Sequence, residues 1–377
     1  MSTNTLKISR FVSGLAAAAL VFGVAACGSG GNDEPTKTDE PTATEPATTE
    51  PTEAPAQTLE GKKVLMIPYW LDNFGAAWGQ WTVTLFEEQG VEVTLVSTDA
   101  ETTKQLDAIE AAIGSLQYDA IIWQPIDADS ATATALRIQE AGIAQVIFNA
   151  DFEPGQDGLH TPQIQIDNVS GFGVSGQVVA QAVMDNPELG DHVKLAWLGA
   201  FPAIPICDNR RDALIEGIKS VDPNMELVYE DGIASVADAN SKIADLITSQ
   251  ADFNVYFGCG GNQGIGGGAA IDAAGLGGAV DNVPVDIVQG AEDTPPELVK
   301  LWDPSSSVIT GMTMEPKRFA QVSVELLSRL MTGALAIDSD EILKEGLTSL
   351  TTDCQASRAI IEENYQSIPN FEIPECQ

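Results

Sequence analysis

The residues with the clearest chemical potential lie in the stretch PYWLDNFGAAWGQW, from Pro68 to Trp81. It holds three of the six tryptophans, with Asp72 and Asn73 between them. An aromatic face can cover the apolar C–H face of a pyranose ring, and a carboxylate accepts hydroxyl hydrogen bonds worth about 1.5 to 3 kcal/mol each. Tryptophans beside carboxylates suit a cationic amine as well. The stretch therefore predicts a binding site for a small polar molecule.

A helix can account for part of this cluster without any ligand. Trp78 and Trp81 lie three residues apart, so they could form the buried stripe of a helix, and we prefer this interpretation for Trp81. For Asp72 and Phe74 we prefer contact with a ligand. Trp78 is kept as a further candidate for that contact.

Other chemistries find little support in the sequence. The two histidines, His160 and His192, lie outside any Cys/His spacing, so we expect no metal, no cofactor and no nucleophilic catalysis. Paired carboxylates alone could imitate a glycosidase. The run Gly264–Ala269 imitates a dinucleotide fingerprint, but one such match is weak. We interpret it as a flexible loop at a helix N-terminus, with Asn262 as its polar candidate.

Composition limits the class of protein. A length of 377 residues and a 44% hydrophobic content are enough for two ordinary domains. The formal net charge of -37 argues against nucleic acid and anionic lipid surfaces as partners, because both would repel the chain.

The N-terminus predicts export. Lys7 and Arg10 precede FVSGLAAAALVFGVAAC, an apolar run shorter than the roughly 20 residues that a membrane-spanning helix needs. Residues 1–26 are therefore predicted to be a signal peptide. The peptide VAAC resembles the lipobox of bacterial lipoproteins, which implies a diacylglycerol on Cys27 and anchoring at the extracytoplasmic face of the cell membrane. A plain signal peptide with an incidental cysteine is the alternative.

The segment 27–60 is dominated by Gly, Pro, Thr, Glu, Asp and Ala, which predicts a disordered tether. Beyond it remain four cysteines, an even number that suits an oxidising compartment. We favour pairing Cys207 with Cys259 and Cys354 with Cys376.

From residue 62 onward, predicted strands and helices alternate. KKVLMIP, VEVTLVST and YDAIIWQP are typical of buried strands, and apolar residues at helical spacing fill the segments between them. Alternating units of this kind form doubly wound parallel sheets, and the strands are too many for one sheet. We expect an α/β fold of two doubly wound parallel-sheet lobes. Ligands then bind in a cleft at the carboxyl ends of the strands.

The order of these elements and the peptides at the strand ends resemble the sugar-binding type 1 periplasmic binding proteins, the ribose- and galactose-binding group that serves ABC importers. The resemblance covers about residues 62 to 345. It implies two lobes joined by three hinge crossovers: a first lobe of residues 62–166 and 316–340, and a second lobe of residues 167–315 and 341–377. It also implies a monomer that binds a small molecule and passes it to a membrane permease.

In the first lobe, YWLDNF is similar to the family's galactose-binding pattern of an aromatic residue, a spacer and Asp-Asn-Phe. WQPID is similar to Asn-Pro-x-Asp, with Gln in the place of the ligand-binding Asn, and FNAD stands where relatives often show Asp-Arg or Asn-Lys. The resemblance thus implies these first-lobe ligand residues: Asp72, Asn73, Phe74, Gln124, Asn149 and Asp151.

In the second lobe, CDNRRDAL resembles a helix start that bears ligand arginines. Arg210 fits the second of these, and Asp208 stands in the place of the first. Asn262 stands where relatives carry Asn-Asp. Glu292 replaces the acid of a Gly-x-Asp strand end, and Glu315 replaces an Asn or Gln before the last crossover. Helix capping is the alternative for both glutamates.

This projected pocket holds several acids against one arginine. Like charges 4 Å apart repel by about 4 kcal/mol at an effective dielectric constant near 20. Either the acids are spread along the cleft or the ligand is positive. Our first hypothesis is a receptor that captures a monosaccharide or polyol for an ABC permease. The second is the same fold binding a cationic or heterocyclic solute, such as an amine or a nucleoside, and the third is a sensory receptor.

Overall fold

The computed structural model describes residues 58–71, 73–150, 152–201, 205–366, 368–369 and 371–376. The expected signal peptide, the lipidation site at Cys27 and most of the tether lie outside these residues. So do Asp72, Asp151 and the side chain of Asn73.

Strands and helices alternate along the described chain, as the sequence predicts. The strands are β1 (Lys63–Ile67), β2 (Glu92–Leu95), β3 (Ala120–Trp123), β4 (Ala144–Phe148), β5 (Gln163–Asp167), β6 (Lys194–Ala200), β7 (Glu226–Ile233), β8 (Val255–Gly258), β9 (Ala279–Val280), β10 (Val283–Pro284), β11 (Val288–Ala291), β12 (Val308–Thr313), β13 (Ile342–Gly346) and β14 (Thr348–Thr351).

The helices are α1 (Asn73–Glu87), α2 (Thr102–Ser115), α3 (Ala128–Glu140), α4 (Val174–Asp185), α5 (Pro205–Val221), α6 (Val236–Thr248), α7 (Gly261–Ala273), α8 (Pro295–Leu301), α9 (Pro316–Met331) and α10 (Cys354–Tyr365). A π-helical turn, Val169–Gly173, leads into α4. Among the described helices, none combines the length and the apolar content that crossing a membrane requires.

The strands form two six-stranded sheets. The first has the order β13-β5-β4-β3-β1-β2, and the second has the order β14-β12-β11-β8-β6-β7. All neighbours within the first sheet are parallel, and in the second only β14 runs antiparallel, along β12. Strands β3, β4 and β8 are buried along their whole length, as expected for central parallel strands covered by helices on both faces. The two-lobed α/β fold predicted from the sequence is confirmed.

The connection between β13 and β14 shows which edges of the two sheets meet. Gly346 ends β13 beside Asp167, the last residue of β5, and Thr348 begins β14 opposite Thr313, the last residue of β12. One residue, Leu347, separates the two strands. The carboxyl edge of the first sheet therefore adjoins the carboxyl edge of the second, where α/β proteins bind their ligands.

The same strands correct one predicted boundary. We assigned residues 341–377 to the second lobe, but Ile342–Gly346 pairs with β5 as the edge strand of the first sheet. The return to the second lobe therefore lies at Leu347. The sequence pattern gave no reason to divide this short segment between two sheets.

Helices α4 and α5 pack with their backbones in close contact. A Cβ at Gly217 of α5 would lie 2.0 Å from the carbonyl oxygen of Gly173, and one at Gly176 of α4 would lie 2.3 Å from that of Leu214. No side chain fits at such a distance, so glycine is required at these positions. This contact fixes α5, which carries Arg210, against α4 and the π-helical turn.

Both expected disulfides are present in the structure. Cys207 of α5 is bonded to Cys259, which follows β8, with their Cα atoms 5.2 Å apart. Cys354, at the start of α10, is bonded to Cys376 near the C-terminus, with their Cα atoms 5.6 Å apart.

Helix α10 contacts both lobes. The Tyr365 hydroxyl donates at 2.6 Å to Oδ2 of Asp293, which follows β11. Ile361 packs with the second-lobe core. On the other side, Trp81 Nε1 of α1 donates to the carbonyl oxygen of Asn364 at 2.9 Å. The helix therefore adds a contact between the lobes besides the chain crossovers.

We expect Gly217→Ala to destabilise the protein by about 1 to 3 kcal/mol, because the added methyl group must push α5 away from Gly173. Gly114→Ala in α2 is the matched control, since no atom lies within 4 Å of a Cβ there. Alanine is favoured over glycine in helices by about 0.5 to 1 kcal/mol, so this control should be neutral or stabilising. Thermal unfolding followed by circular dichroism measures both. Equal midpoints for the two variants would contradict the close packing.

Candidate ligand-binding site

The first-lobe part of the site begins directly after β1. The Trp70 side chain is 44% exposed, and its ring meets that of Tyr69 edge to face, with 4.5 Å between ring centroids. Phe74, at the start of α1, is partly buried and stacks against Phe148 with 5.9 Å between centroids. Tyr69 and Trp70 therefore present aromatic surface at the carboxyl edge, whereas Phe74 is shared between that edge and the core.

Trp78 lies in the core and not at the cleft. Its side chain is 0% exposed, its Nε1 donates to Ser323 Oγ at 3.1 Å, and its ring packs on Phe148 at 4.2 Å. The expectation that Trp78 contacts a ligand is therefore not supported, because packing between α1, α9 and β4 accounts for the residue. Trp81 is hydrogen-bonded to Asn364 of α10, so it also belongs to the packing between helices.

Polar side chains follow β3 and β4 at the same edge. Gln124 Oε1 accepts from the backbone N–H of Tyr69 at 3.2 Å, which ties the end of β3 to the end of β1. Asn149 follows β4 with φ +53°, a left-handed conformation that asparagine tolerates better than most residues. Asp127 caps α3 by accepting from the N–H of Ser130. Gln124 and Asn149 are thus placed at the edge where a ligand is expected.

Arg210 is the central residue of the second-lobe part. Its side chain is almost fully buried, with the residue 8% exposed, and its guanidinium lies 5.2 Å from the centre of the Phe172 ring. One terminal nitrogen donates to the carbonyl oxygen of Cys259 at 2.7 Å and to Glu292 Oε1 at 3.0 Å. The other lies 3.6 Å from the sulfur of Met314. Within the described part of the chain, Nε has no hydrogen-bond partner.

Glu292 links Arg210 to the start of α7. Its Oε2 accepts from the backbone N–H of Gly261 at 3.0 Å, while its Oε1 faces Arg210. Because β11, β8 and α5 supply these groups, the pair lies where three elements of the second lobe converge. The structure thus brings Arg210 and Glu292 together, as the sequence hypothesis requires.

Asp208 and Asn262 lie further out. Asp208 is exposed and forms an ion pair with Arg211 at 3.0 Å, and Arg211 also pairs with Glu230 at 2.5 Å. Asn262 is exposed on the first turn of α7. The sequence left open which arginine faces the cleft, and the structure places Arg210 inside and Arg211 at the surface.

Glu315 belongs to the hinge. It has φ +45°, and its carboxylate accepts a hydrogen bond from the Thr348 hydroxyl at the start of β14. Nearby, Arg318 pairs with Glu345 of β13 at 2.5 Å. Although Glu315 stands at the N-cap of α9, its side chain makes no capping hydrogen bond. The hydrogen bond between Glu315 and Thr348 joins the crossover after β12 to the β13–β14 connection.

Sequence reasoning missed two residues of this region. Phe201 follows β6 at the carboxyl edge and is 69% exposed, and its position after a predicted strand was a usable signal. Glu297 is 4% exposed and lies behind Glu292. Its Oε1 accepts from the N–H of Glu292 at 3.3 Å, and its Oε2 accepts from the Thr294 hydroxyl at 2.6 Å. Nothing in the sequence distinguishes Glu297 from an ordinary acid in the first turn of a helix.

Burial dominates the electrostatics of Glu297. Burial, followed by the nearby carboxylate of Glu292, raises the pKa of Glu297 from 4.5 to about 8. Burial also raises the pKa of Asp293, against the lowering effect of hydrogen bonds from Thr313 and Tyr365. Glu297 is therefore protonated at neutral pH, which places a neutral group beside the Arg210–Glu292 pair.

The glycine-rich run has a packing role. Gly264–Ala269 lies within α7, not in the flexible loop we expected. A Cβ at Gly264 would lie 1.9 Å from Glu297 Oε1, and one at Gly267 would lie 2.1 Å from the Tyr256 hydroxyl. The glycines make room for buried side chains, so the resemblance to a dinucleotide fingerprint has a steric cause. Within the described ranges, no group of three or more His, Cys, Asp or Glu residues is placed to hold a metal ion.

We expect the contribution of Glu297 to the stability of the protein to fall as pH rises from about 4.5 to about 8, because the folded state keeps the Glu297 proton that the unfolded chain releases. The slope from this group is at most about 1.4 kcal/mol per pH unit. Glu297→Gln should remove this component, so the variant should match the wild type near pH 5 and be more stable near pH 8. Urea unfolding at both pH values measures the difference. Glu325→Gln, at an exposed site, should show no such pH-dependent gain; a gain equal to that of Glu297→Gln would contradict the assignment.

Solved structures show the same fold. An ABC transporter solute-binding protein from Bacillus halodurans, solved with myo-inositol, is 17% identical with a TM-score of 0.65, over 80% of this chain and 99% of that chain. One from Actinobacillus succinogenes, solved with D-allose, is 14% identical with a TM-score of 0.66, over 78% and 99%. A periplasmic ribose ABC transporter protein from Conexibacter woesei is 14% identical with a TM-score of 0.65, over 82% and 97%.

At these identities the structural similarity establishes the fold alone. Among curated proteins, none matches the chain in sequence. Residues 64–335, more than half of the chain, match the sequence model of the family described as "Periplasmic binding protein domain". Together with the two facing sheets and their shared carboxyl edges, this match shows that the chain belongs to the periplasmic binding protein family.

Proposed function

We propose that this protein is a lipid-anchored solute-binding protein that captures a monosaccharide or polyol between its lobes and delivers it to an ABC-type permease. The observation that carries the proposal is the buried guanidinium of Arg210. Its Nε lacks a partner within the described residues, although it lies at the carboxyl edge where this fold binds ligands. A buried donor without an acceptor is costly, and a sugar hydroxyl or ring oxygen that reaches Nε when the lobes move would supply the acceptor.

The placement of the acids favours a neutral ligand over a cation. Asp208 is paired with Arg211, Glu292 with Arg210, and Glu315 accepts from Thr348. The amine hypothesis rested on a surplus of carboxylates converging on one pocket. Since these three carboxylates each have a partner of their own, and Asp72 and Asp151 lie outside the described residues, the argument for a cation loses part of its support.

Aromatic surface at the carboxyl edges of both sheets fits the same ligand class. Trp70 follows β1 and Phe201 follows β6, and both side chains are substantially exposed. Exposed aromatic rings at the ends of parallel strands provide faces on which the C–H surface of a sugar can stack. The structural neighbours point in the same direction, because two of them were solved with a cyclic polyol and a hexose.

Closure of the lobes is the proposed mechanism of capture. Polar groups at the ends of β1, β3 and β4 bond within the first lobe, and the Arg210–Glu292 pair bonds within the second. A ligand that reaches both sets gains contacts only when the lobes approach, and the crossovers near Leu347 and Glu315 absorb the rotation. Micromolar affinity needs only about 8 kcal/mol net, which a few charge-assisted hydrogen bonds and a stacked ring supply.

The remaining parts of the proposal rest on the sequence. The lipobox-like peptide ending at Cys27 supports the membrane anchor and the extracytoplasmic location, and membership of the binding-protein family supports a permease partner and a non-enzymatic role. We infer a monomer from the family resemblance. A sensory receptor would use the same residues and would be distinguished by the membrane protein it contacts.

A thermal-shift screen of the full-length protein tests the ligand class. We expect at least one of myo-inositol, D-allose, D-ribose and D-arabinose to raise the melting temperature, since a ligand that binds only the folded state stabilises it. Amines and nucleosides should not. Affinity measured by calorimetry should change little between low and high salt, whereas a cation site would weaken. A shift with amines alone would overturn the sugar assignment.

Arg210 and Arg211 provide a matched pair of substitutions. Arg210→Lys should weaken sugar binding by at least about tenfold, because lysine keeps the charge but loses the planar fork that serves Cys259, Glu292 and the ligand. Arg211→Lys, in the exposed ion pair with Asp208, should leave the affinity within about twofold. Isothermal titration calorimetry measures both. Equal effects of the two substitutions would show that Arg210 does not contact the ligand.

A further inference from the structure

We propose that the Cys207–Cys259 disulfide is a positioning element of the ligand site, which holds Arg210 and Glu292 at the spacing that the ligand meets. This inference rests on the proposed function. The disulfide joins the first turns of α5 to the residue directly after β8. These two segments carry most of the second-lobe half of the site, so the crosslink lies within the site and does not merely brace the lobe from outside.

The first link runs through α5. Cys207 and Arg210 lie three residues apart on this helix, so they share one face. From that face Arg210 donates to the carbonyl oxygen of Cys259 at 2.7 Å. The same two segments are therefore joined twice, once by a covalent bond and once by the guanidinium. The disulfide holds the Cα atoms of Cys207 and Cys259 5.2 Å apart. It thereby sets the distance that the Arg210 side chain must span to reach the Cys259 carbonyl oxygen.

The second link runs from Cys259 to Glu292. Gly260 and Gly261 follow Cys259 directly, and the N–H of Gly261 donates to Glu292 Oε2 at 3.0 Å. Glu292 in turn accepts from Arg210 through its other oxygen. Two consecutive glycines lose much conformational freedom on folding, so this segment is poorly restrained by its own backbone. The crosslink at Cys259 supplies the restraint at the point where the segment begins.

The Cys207–Cys259 and Cys354–Cys376 disulfides differ in burial. Cys207 is 5% exposed and Cys259 is 4% exposed, and both belong to the main core. Cys354 and Cys376 are partly exposed, and their bond ties the start of α10 to the C-terminal residues. The second disulfide joins segments other than α5 and the Cys259–Gly261 segment, which bond to the Arg210–Glu292 pair. It is therefore a matched control within the same chain.

The test compares Cys207→Ala/Cys259→Ala with Cys354→Ala/Cys376→Ala in the full-length protein, with myo-inositol and D-allose as probes. Loss of the Cys207–Cys259 bond should raise the dissociation constant by at least about tenfold, because the site is then no longer preorganised. Loss of the Cys354–Cys376 bond should lower the melting temperature but leave the dissociation constant within about twofold. Equal weakening by both variants, or none by the first, would overturn the proposal.

A double-mutant cycle distinguishes positioning from general destabilisation. If the disulfide acts through Arg210, then Arg210→Lys should weaken binding less in the Cys207→Ala/Cys259→Ala background than in the wild type. Additive losses in the cycle would mean that the crosslink does not act through Arg210, and would overturn the proposal.

A measurement without ligand keeps this inference separate from the proposed function. Hydrogen exchange should accelerate at residues 259–264 in Cys207→Ala/Cys259→Ala and stay unchanged there in Cys354→Ala/Cys376→Ala. If no probe binds the wild type, the sugar assignment fails while the exchange result still decides the positioning role. If the first variant does not fold, Cys354→Ala/Cys376→Ala is measured before and after reduction, because Cys207–Cys259 is then the disulfide that reduction opens. Unchanged exchange at residues 259–264 would overturn the proposal.

Discussion

The guanidinium of Arg210 is buried, and a buried charge is costly unless other groups pair and hydrogen-bond with it. Those partners come from separate parts of the second lobe: the Phe172 ring after the first crossover, the Cys259 carbonyl after β8, Glu292 after β11 and Met314 after β12. One side chain thus ties together the carboxyl ends of three strands. The arrangement of the second half of the cleft depends on satisfying this charge.

Three acids follow β11, and each avoids the cost of a buried negative charge differently. Glu292 pairs with Arg210, Asp293 accepts from two hydroxyl groups, and Glu297 keeps its proton because burial raises its pKa to about 8. Of these three, only Glu292 is among the acids that the sequence predicts for the pocket, and it is paired with Arg210.

Glycines decide how closely the elements around this cluster approach. Gly264 and Gly267 of α7 make room for Glu297 and Tyr256, and Gly217 of α5 lies against Gly173. These contacts bring α5, α7 and α8 close enough for Arg210, Gly261 and Glu292 to meet. The glycine-rich segment serves the site through packing, and its likeness to a nucleotide-binding motif reflects the shared need for space.

The alternation of apolar strands and amphipathic helices was enough to predict the two-sheet fold, because that periodicity is local and burial on both faces leaves a continuous apolar run. The strand ends also predicted Gln124, Asn149 and Glu292 as edge residues, and the likeness of CDNRRDAL to a helix start that bears ligand arginines predicted Arg210. Only the tertiary structure decided that Trp78 packs in the core, that Ile342–Gly346 joins the first sheet, and that Arg210 is buried while Arg211 is partly exposed in ion pairs with Asp208 and Glu230. The direction in which a side chain points, and the burial of an acid such as Glu297, depend on residues that are distant in the sequence. Local sequence patterns do not contain that information.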